Sequence, residues 1–364
     1  MTTRRELLQN GVGLAAGLLF TDCGFGAAAP ARAETRRREV VVNGKRVKTI
    51  DVHAHCAVPE ALALIDQKLG GPSLRPDLDA TAAIAVQLQA MDEQGIDMEA
   101  LSINPNWYGV TRDVAEKLIA LQNERLAEVC GKHPDRFVAF ASAALQFPDL
   151  ASKQLEDAVK KLGLRGVAIG GNVAGTELSD AKFHPFWAKA EELGVLVFLH
   201  PQSDGAPTQL RQRFHGNGYL LNVIGNPLET TIALSHLIFE GTLDKFPGLK
   251  ICAAHAGGYL PSYAGRFDWG CPVRPDLCPG GTHGGIQHAP SEYLQRLYFD
   301  TMVFRPEGMR HLVAETGAGQ LVLGTDFPYP WTKTAVDLIL TTPGLSDEEK
   351  IAILGGNAAK LLGL

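Results

Sequence analysis

Five side chains carry the chemistry legible in this sequence: His53, His55, His200, His255 and Asp326. His53 and His55 stand two apart in Asp51-Val52-His53-Ala54-His55. An extended chain sends residues i and i+2 to the same side, so the two imidazoles form half of a metal site. One such pair is a weak signal, but the pattern repeats. Other apolar runs end in His200-Pro201, in His255-Ala256-Gly257-Gly258 and in Asp326-Phe327-Pro328. Each puts a metal-competent group where a buried segment becomes loop. Burying such groups without partners costs several kcal/mol, so four strand ends of this kind point to a shared partner.

The elements that must position these groups follow from hydrophobic pattern. Eight short apolar runs read as strands: residues 48–53, 98–103, 137–143, 166–169, 195–200, 250–255, 298–303 and 321–325. Most are rich in Val, Ile, Leu or Phe, as strands buried on both faces should be. Helical periodicity lies between them, over 81–94, 114–130, 150–162, 183–193 and 347–362, with Gly95, Gly163 and Gly194 placed as C-caps. Eight strand–helix units without a composition break predict a single α/β domain, a (β/α)8 TIM barrel over residues 48–364. Three long loops, 57–80, 201–225 and 256–291, each follow a strand, so they fall at the C-terminal face where barrel active sites are built. Trp107, Phe214, Trp269, Phe327 and Tyr329 lie in or beside such loops and could line an apolar pocket. A doubly wound nucleotide-binding sheet would need a Gly-rich phosphate loop after an early strand. No G-x-G-x-x-G or G-K-[ST] stands there.

The chain has 364 residues, 45% hydrophobic and 20% charged, which suits one large globular domain. Its formal charge is -6 with no basic stripe, which argues against nucleic acid as a partner. The first 33 residues read as a twin-arginine signal peptide: Arg4-Arg5, an apolar run from Gly11 to Phe20, and Ala31-Arg32-Ala33 as the cleavage site. Export to the periplasm or beyond is expected, with no membrane span after cleavage and residues 34–47 as a lead-in. Cys271 and Cys278 share a Pro-rich loop and could pair in an oxidising compartment.

The strand-end pattern H-x-H, His, His, Asp resembles the amidohydrolase superfamily. Its amidohydrolase-related decarboxylase branch, typified by 2-amino-3-carboxymuconate-6-semialdehyde decarboxylase, is the closer likeness. The stretches that carry it are Asp51–His55, Met91–Asp97, Gly225–Thr231, His255–Arg266, Arg274–Cys278 and Leu323–Tyr329. The resemblance implies that His53, His55, His200 and Asp326 bind one zinc ion, with His255 as the acid/base. It implies that Arg75 and Arg266 meet substrate carboxylates, Arg266 by reaching into a neighbouring subunit's site in a homodimer. Three histidines, one aspartate and an open position make a catalytic rather than a structural zinc arrangement. A His-rich set suits zinc, with manganese as the other candidate. The fourth strand runs into Gly170-Gly171-Asn172 without the lysine that bridges two metals elsewhere in the superfamily, so one ion is expected.

The expected reaction is decarboxylation of an unsaturated or aromatic carboxylic acid. The alternative is hydrolysis of a lactone or amide by the same metal-bound water. Gln202 stands after His-Pro where the decarboxylase type carries Trp, which points away from the muconate semialdehyde and toward another acid, such as a hydroxylated aromatic one.

Overall fold

The computed structural model describes residues 37–65, 81–202, 212–278, 280 and 283–364. The expected signal peptide and Arg75 lie outside the described residues. Eight parallel strands follow one another along the chain: β1 (Ile50–His55), β2 (Met98–Ser102), β3 (Phe137–Ala139), β4 (Gly166–Ile169), β5 (Leu196–Leu199), β6 (Lys250–Ala253), β7 (Tyr298–Asp300) and β8 (Leu321–Val322). They pair in chain order as β1-β2-β3 and β4-β5-β6-β7-β8. Parallel bridges Ala141↔Val167 and Ala54↔Phe327 join the two sheets at both edges. The Val52 N–H donates to the Leu323 carbonyl (2.9 Å) and the Ala168 N–H to the Ala141 carbonyl (2.9 Å). The ring of eight is thereby closed, the barrel that the apolar runs predict.

Among the described residues, one long helix follows each of the first seven strands: α1 (Thr81–Gln94), α2 (Arg112–Lys132), α3 (Pro148–Leu162), α4 (His184–Leu193), α5 (Asn226–Phe239), α6 (Leu260–Val273) and α7 (Pro306–Thr316). In α3, Pro148 opens the first turn, where a missing N–H costs nothing. Leu150, Ala151, Leu155 and Ala158 are buried at helical spacing, and Gly163 closes the helix at φ 72°. The 256–291 segment differs from expectation. It contains α6, opened by Pro261, with Pro272 tolerated only in its last turn. Cys271 and Cys278 do pair, with Cα atoms 5.4 Å apart. Among the described residues no helix is long and apolar enough to cross a membrane.

The barrel interior is filled by Ile50, Val52, Met98, Ala100, Phe140, Phe198, Cys252 and Val322. Ala358, Leu361 and Leu362, from a further helix at Asn357–Leu362, join this cluster. The lead-in is tied down by Asp97, between α1 and β2. Its carboxylate accepts from the Thr49 N–H (2.8 Å), the Thr49 hydroxyl (3.1 Å) and the Arg46 guanidinium. Burial pushes this carboxyl up, but Arg46 and the Thr49 amide outweigh it and hold it below the usual range. Stability from a depressed carboxyl is present above its unfolded pKa and is lost as pH falls. Asp97→Asn is therefore expected to cost about 2 kcal/mol at neutral pH by urea denaturation. The difference from wild type should shrink on acidification.

Candidate metal centre

A bulge in β1 sets the geometry. The β1–β2 register shifts between Asp51 and Ala54, so Val52 and His53 together face one residue of β2. Strict alternation would send His53 away from the side that Ile50 and Val52 fill. The extra residue re-aims it. The His53 ring lies 5.0 Å from Phe198, a member of the inner cluster, and His55 follows toward the mouth at 4.9 Å from His53. His200 follows β5, and its ring is 4.7 Å from His55. Asp326 follows β8, tied to β1 by its own N–H on the His53 carbonyl (2.8 Å). Gly324 makes this approach possible, because a Cβ there would sit 2.7 Å from Asp300 Cβ and 3.0 Å from His53 Cβ.

One donor atom from each of His53, His55, His200 and Asp326 lies within 4.8 Å of the others, and all four residues are buried. Each Nδ1 is engaged on the far side of its ring. His53 Nδ1 meets Asp300 Oδ2 at 2.6 Å, and His200 Nδ1 meets the Pro201 carbonyl at 2.7 Å. His55 Nδ1 lies 3.0 Å from Ser102 Oγ, whose own proton goes to the Ala54 carbonyl (3.1 Å), so the hydroxyl accepts. Three Nδ1–H donors leave three Nε2 lone pairs facing inward. His53 Nε2 and His55 Nε2 are 3.0 Å apart, and Asp326 Oδ1 is 3.2 Å and 2.9 Å from them. His200 Nε2 is buried without a hydrogen-bond partner. Lone pairs and a carboxylate converging in this way fit a divalent cation. Ligands at about 2.1 Å from a tetrahedral ion sit roughly 3.4 Å apart.

The electrostatics agree. Burial pulls His53 down, but the Asp326 charge and the Asp300 contact outweigh it and push it up to about 10. Burial raises Asp326, yet the three surrounding imidazoles hold its carboxyl well below the usual range. Burial and the charges of His55 and His53 drive His200 well below an ordinary histidine. The pocket therefore favours positive charge on its Asp326 side and a neutral His200, the form that ligates metal.

His255 stands beside this cluster, with Nε2 3.7 Å from Asp326 Oδ2. Its ring is 5.2 Å from His53 and 5.1 Å from His200. The backbone around it is strained: His255, Ala256 and Asp326 have φ of 55°, 56° and 60°. Non-glycine residues held there cost on the order of 1–3 kcal/mol each, which is typical of functional sites. Asp300 fixes the His255 turn. Its carboxylate accepts from the N–H groups of His255 (2.8 Å) and Ala256 (2.7 Å) while also holding His53. The turn then passes close under α5. A Cβ on Gly258 would meet the Pro227 carbonyl at 2.1 Å, so only glycine fits.

Sequence reasoning missed Asp300, Ser102 and Asp51. Asp300 had a visible signal, since it too is a polar residue ending an apolar strand. Asp51 ties β1 to β8, accepting from the Thr325 hydroxyl (2.5 Å) and the His53 N–H (2.9 Å). Burial pushes its carboxyl up to about 7. Glu229, in the Gly225–Thr231 stretch, accepts from the Gln202 N–H (3.0 Å) and braces the segment after His200. The Gln202 side-chain amide donates to the Pro105 carbonyl.

A cavity of about 270 Å³ opens beside His255, lined also by Asn226, Val223, Phe304 and Trp331. None of the five aromatics expected from the sequence lines it. Trp107 is buried, with its indole N–H on the Ala143 carbonyl, and Trp269 is 68% exposed on α6. Tyr329 packs 6.1 Å from the His55 ring. Arg266 is exposed on α6 and does not line this cavity.

Residues 50–364 match the family model described as Amidohydrolase. The 2-amino-3-carboxymuconate-6-semialdehyde decarboxylase of Dictyostelium discoideum is 33% identical over 77% of this chain and 76% of its own. A 6-methylsalicylic acid decarboxylase of Penicillium expansum is 30% identical over 77% of this chain and 84% of its own. Among solved structures, a dihydroxybenzoic acid decarboxylase from a Polaromonas strain, holding manganese and 2-nitroresorcinol, superposes with a TM-score of 0.76. It is 27% identical and covers 87% of this chain and 97% of its own. Barrel, strand-end ligand cluster and these likenesses lead to one conclusion: the chain belongs to the amidohydrolase family, among relatives that are carboxy-lyases.

Proposed function

We propose that this enzyme removes CO2 from an aromatic or otherwise unsaturated carboxylic acid, with one divalent ion, zinc by its ligand set, and no organic cofactor. The observation that carries the reading is the convergence of three inward Nε2 atoms and the Asp326 carboxylate beside His255, at a mostly apolar cavity. His53, His55, His200 and Asp326 would hold the ion. When bound, it would polarise the substrate's oxygens and fix the orientation of the acid. His255 delivers a proton from Nε2 to the carbon that bears the carboxylate, and the new C–H bond interrupts conjugation. The bond to the carboxylate then breaks, its electron pair restores conjugation, and CO2 leaves. The net change is uptake of one proton for one CO2. Asp326 Oδ2 orients His255, and solvent returns its proton. Arg75 would meet the carboxylate from the first long loop.

A homodimer belongs to the same reading. Helix α6 exposes Tyr263, Arg266, Trp269 and Val273 on a face that a second copy would cover. Arg266 of one protomer would then reach the site of its partner. Light scattering should give twice the chain mass, and a monomer would remove that role for Arg266. Export through the residue 1–33 signal completes the proposal, and its test is the N-terminus of protein recovered from the source cell.

The activity is tested by offering hydroxybenzoates and unsaturated dicarboxylates to metal-loaded and metal-stripped protein. CO2 release only from the loaded form is expected. Opening of lactones or amides by the same preparation, with no CO2, would make the enzyme a hydrolase.

A further inference from the structure

The cavity beside His255 is uneven in chemistry. Its inner end has His255 and Asn226, next to the ligand cluster. Its outer end is apolar: Val223 is 43% exposed and Phe304 is 49% exposed, so they form a rim, and Val303 and Trp331 line the same cavity. Among the described residues that line it, none is Lys, Arg, Asp or Glu. A charged group carried into this outer end would meet apolar side chains and no counter-ion among the described lining residues.

The rim is also built at a conformational cost. Trp331 lies between two aromatic rings, Tyr219 at 6.4 Å and nearly parallel, and Phe304 at 6.1 Å. Tyr219 and Phe304 have φ of 56° and 57°. That is a genuine outlier for bulky side chains and marks a position held for a purpose. Phe304 is fixed by tight turns on either side, the Val303 N–H on the Thr301 carbonyl and the Arg305 N–H on the Val303 carbonyl, both at 2.8 Å. Both strained residues set a ring against Trp331, which lines the cavity together with Phe304.

We infer that Trp331, bracketed by Tyr219 and Phe304, determines specificity by selecting aromatic monocarboxylic acids with an uncharged, apolar ring substituent remote from the reacting carboxylate. This rests on the decarboxylase reading above. The substituent packs on Trp331 and Val223. A second carboxylate at the same place is disfavoured because no described lining residue of this outer end pairs with it. Discrimination by a single apolar group is typically worth about 10–200-fold, and an unpaired polar group costs more.

The test compares 2-hydroxybenzoate, its alkyl-substituted form and its dicarboxylate on metal-loaded wild type, Trp331→Ala and Val223→Lys. Binding of the corresponding phenols is titrated in parallel by tryptophan fluorescence and calorimetry. Wild type should favour the alkyl acid over the dicarboxylate by roughly 100-fold or more in kcat/KM. Trp331→Ala should cut the alkyl-over-unsubstituted preference about tenfold, through KM rather than kcat. Val223→Lys, at an exposed position that folding tolerates, should raise the dicarboxylate's kcat/KM about tenfold. Equal losses across all three acids in Trp331→Ala, or a wild-type preference for the dicarboxylate, would overturn the inference. If no acid loses CO2, the decarboxylase reading fails, and the rim is judged on binding alone. Alkylphenol bound more tightly than carboxyphenol, and weakened by Trp331→Ala, would uphold it. Equal affinities would overturn it.

Discussion

His255→Asn, in folded and metal-loaded protein, is expected to lower kcat by roughly 10²–10⁴-fold, the usual worth of a positioned proton donor. The asparagine keeps a polar side chain of similar reach but cannot deliver a proton. Metal content should stay at the wild-type value, because His255 Nε2 lies 3.7 Å from Asp326 and outside the four-donor cluster. KM should change little, so that kcat and kcat/KM fall together, as they do when an interaction made only in the transition state is lost. Turnover near wild type would remove His255 from the chemistry. Loss of metal together with activity would make it a ligand instead.

Asp300→Asn should have the next largest effect, without touching substrate. The carboxylate accepts from His53 Nδ1 and from the N–H groups of His255, Ala256 and Met302. An amide of the same shape must turn its NH2 toward one of these donors. Burial alone would raise this carboxyl, but the His53 contact holds it below the usual range, so it stays ionised and acceptor-only. Loss of such an outer partner to a ligating histidine typically costs 10–100-fold in metal affinity. Competition against a chelator should therefore show metal affinity falling by about that factor. kcat at saturating metal should fall as well, because the His255 turn loses its anchor. Asp300→Glu should restore part of the affinity if the carboxylate is what matters. Unchanged affinity in Asp300→Asn would reduce Asp300 to a packing role.

Much of this architecture could be read from residue order. All eight strands were visible because strands buried on both faces must be continuously apolar, and each site residue interrupts that run at its end. What stayed hidden was the bulge at Val52-His53. Alternation alone cannot put Ile50, Val52, His53 and His55 on one side, and an inserted residue leaves no composition signal. Helix α6 was hidden by its prolines and glycines, which read as loop, although Pro261 and Pro272 sit in its first and last turns. Trp331 and Phe304 were passed over for five other aromatics, of which Trp107 is buried, Trp269 is exposed on α6 and Tyr329 packs beside His55. Cavity lining depends on how several loops fold back over the barrel mouth, and no local pattern encodes that. Ser102 and Asp300 act through the far nitrogens of the histidines, a partnership visible only once strand two lies beside the first and strand seven lies one place further round, across strand eight.

The most direct test of metal-dependent decarboxylation is to run the reaction in D2O with a hydroxybenzoate substrate and metal-loaded protein. One CO2 should be released for each phenol formed, with one deuterium at the vacated ring carbon and neither product from metal-stripped protein. A product that keeps its carboxylate, or an oxygen-labelled acid or alcohol from a lactone or amide in H2(18)O, would contradict it and place the enzyme among the hydrolases.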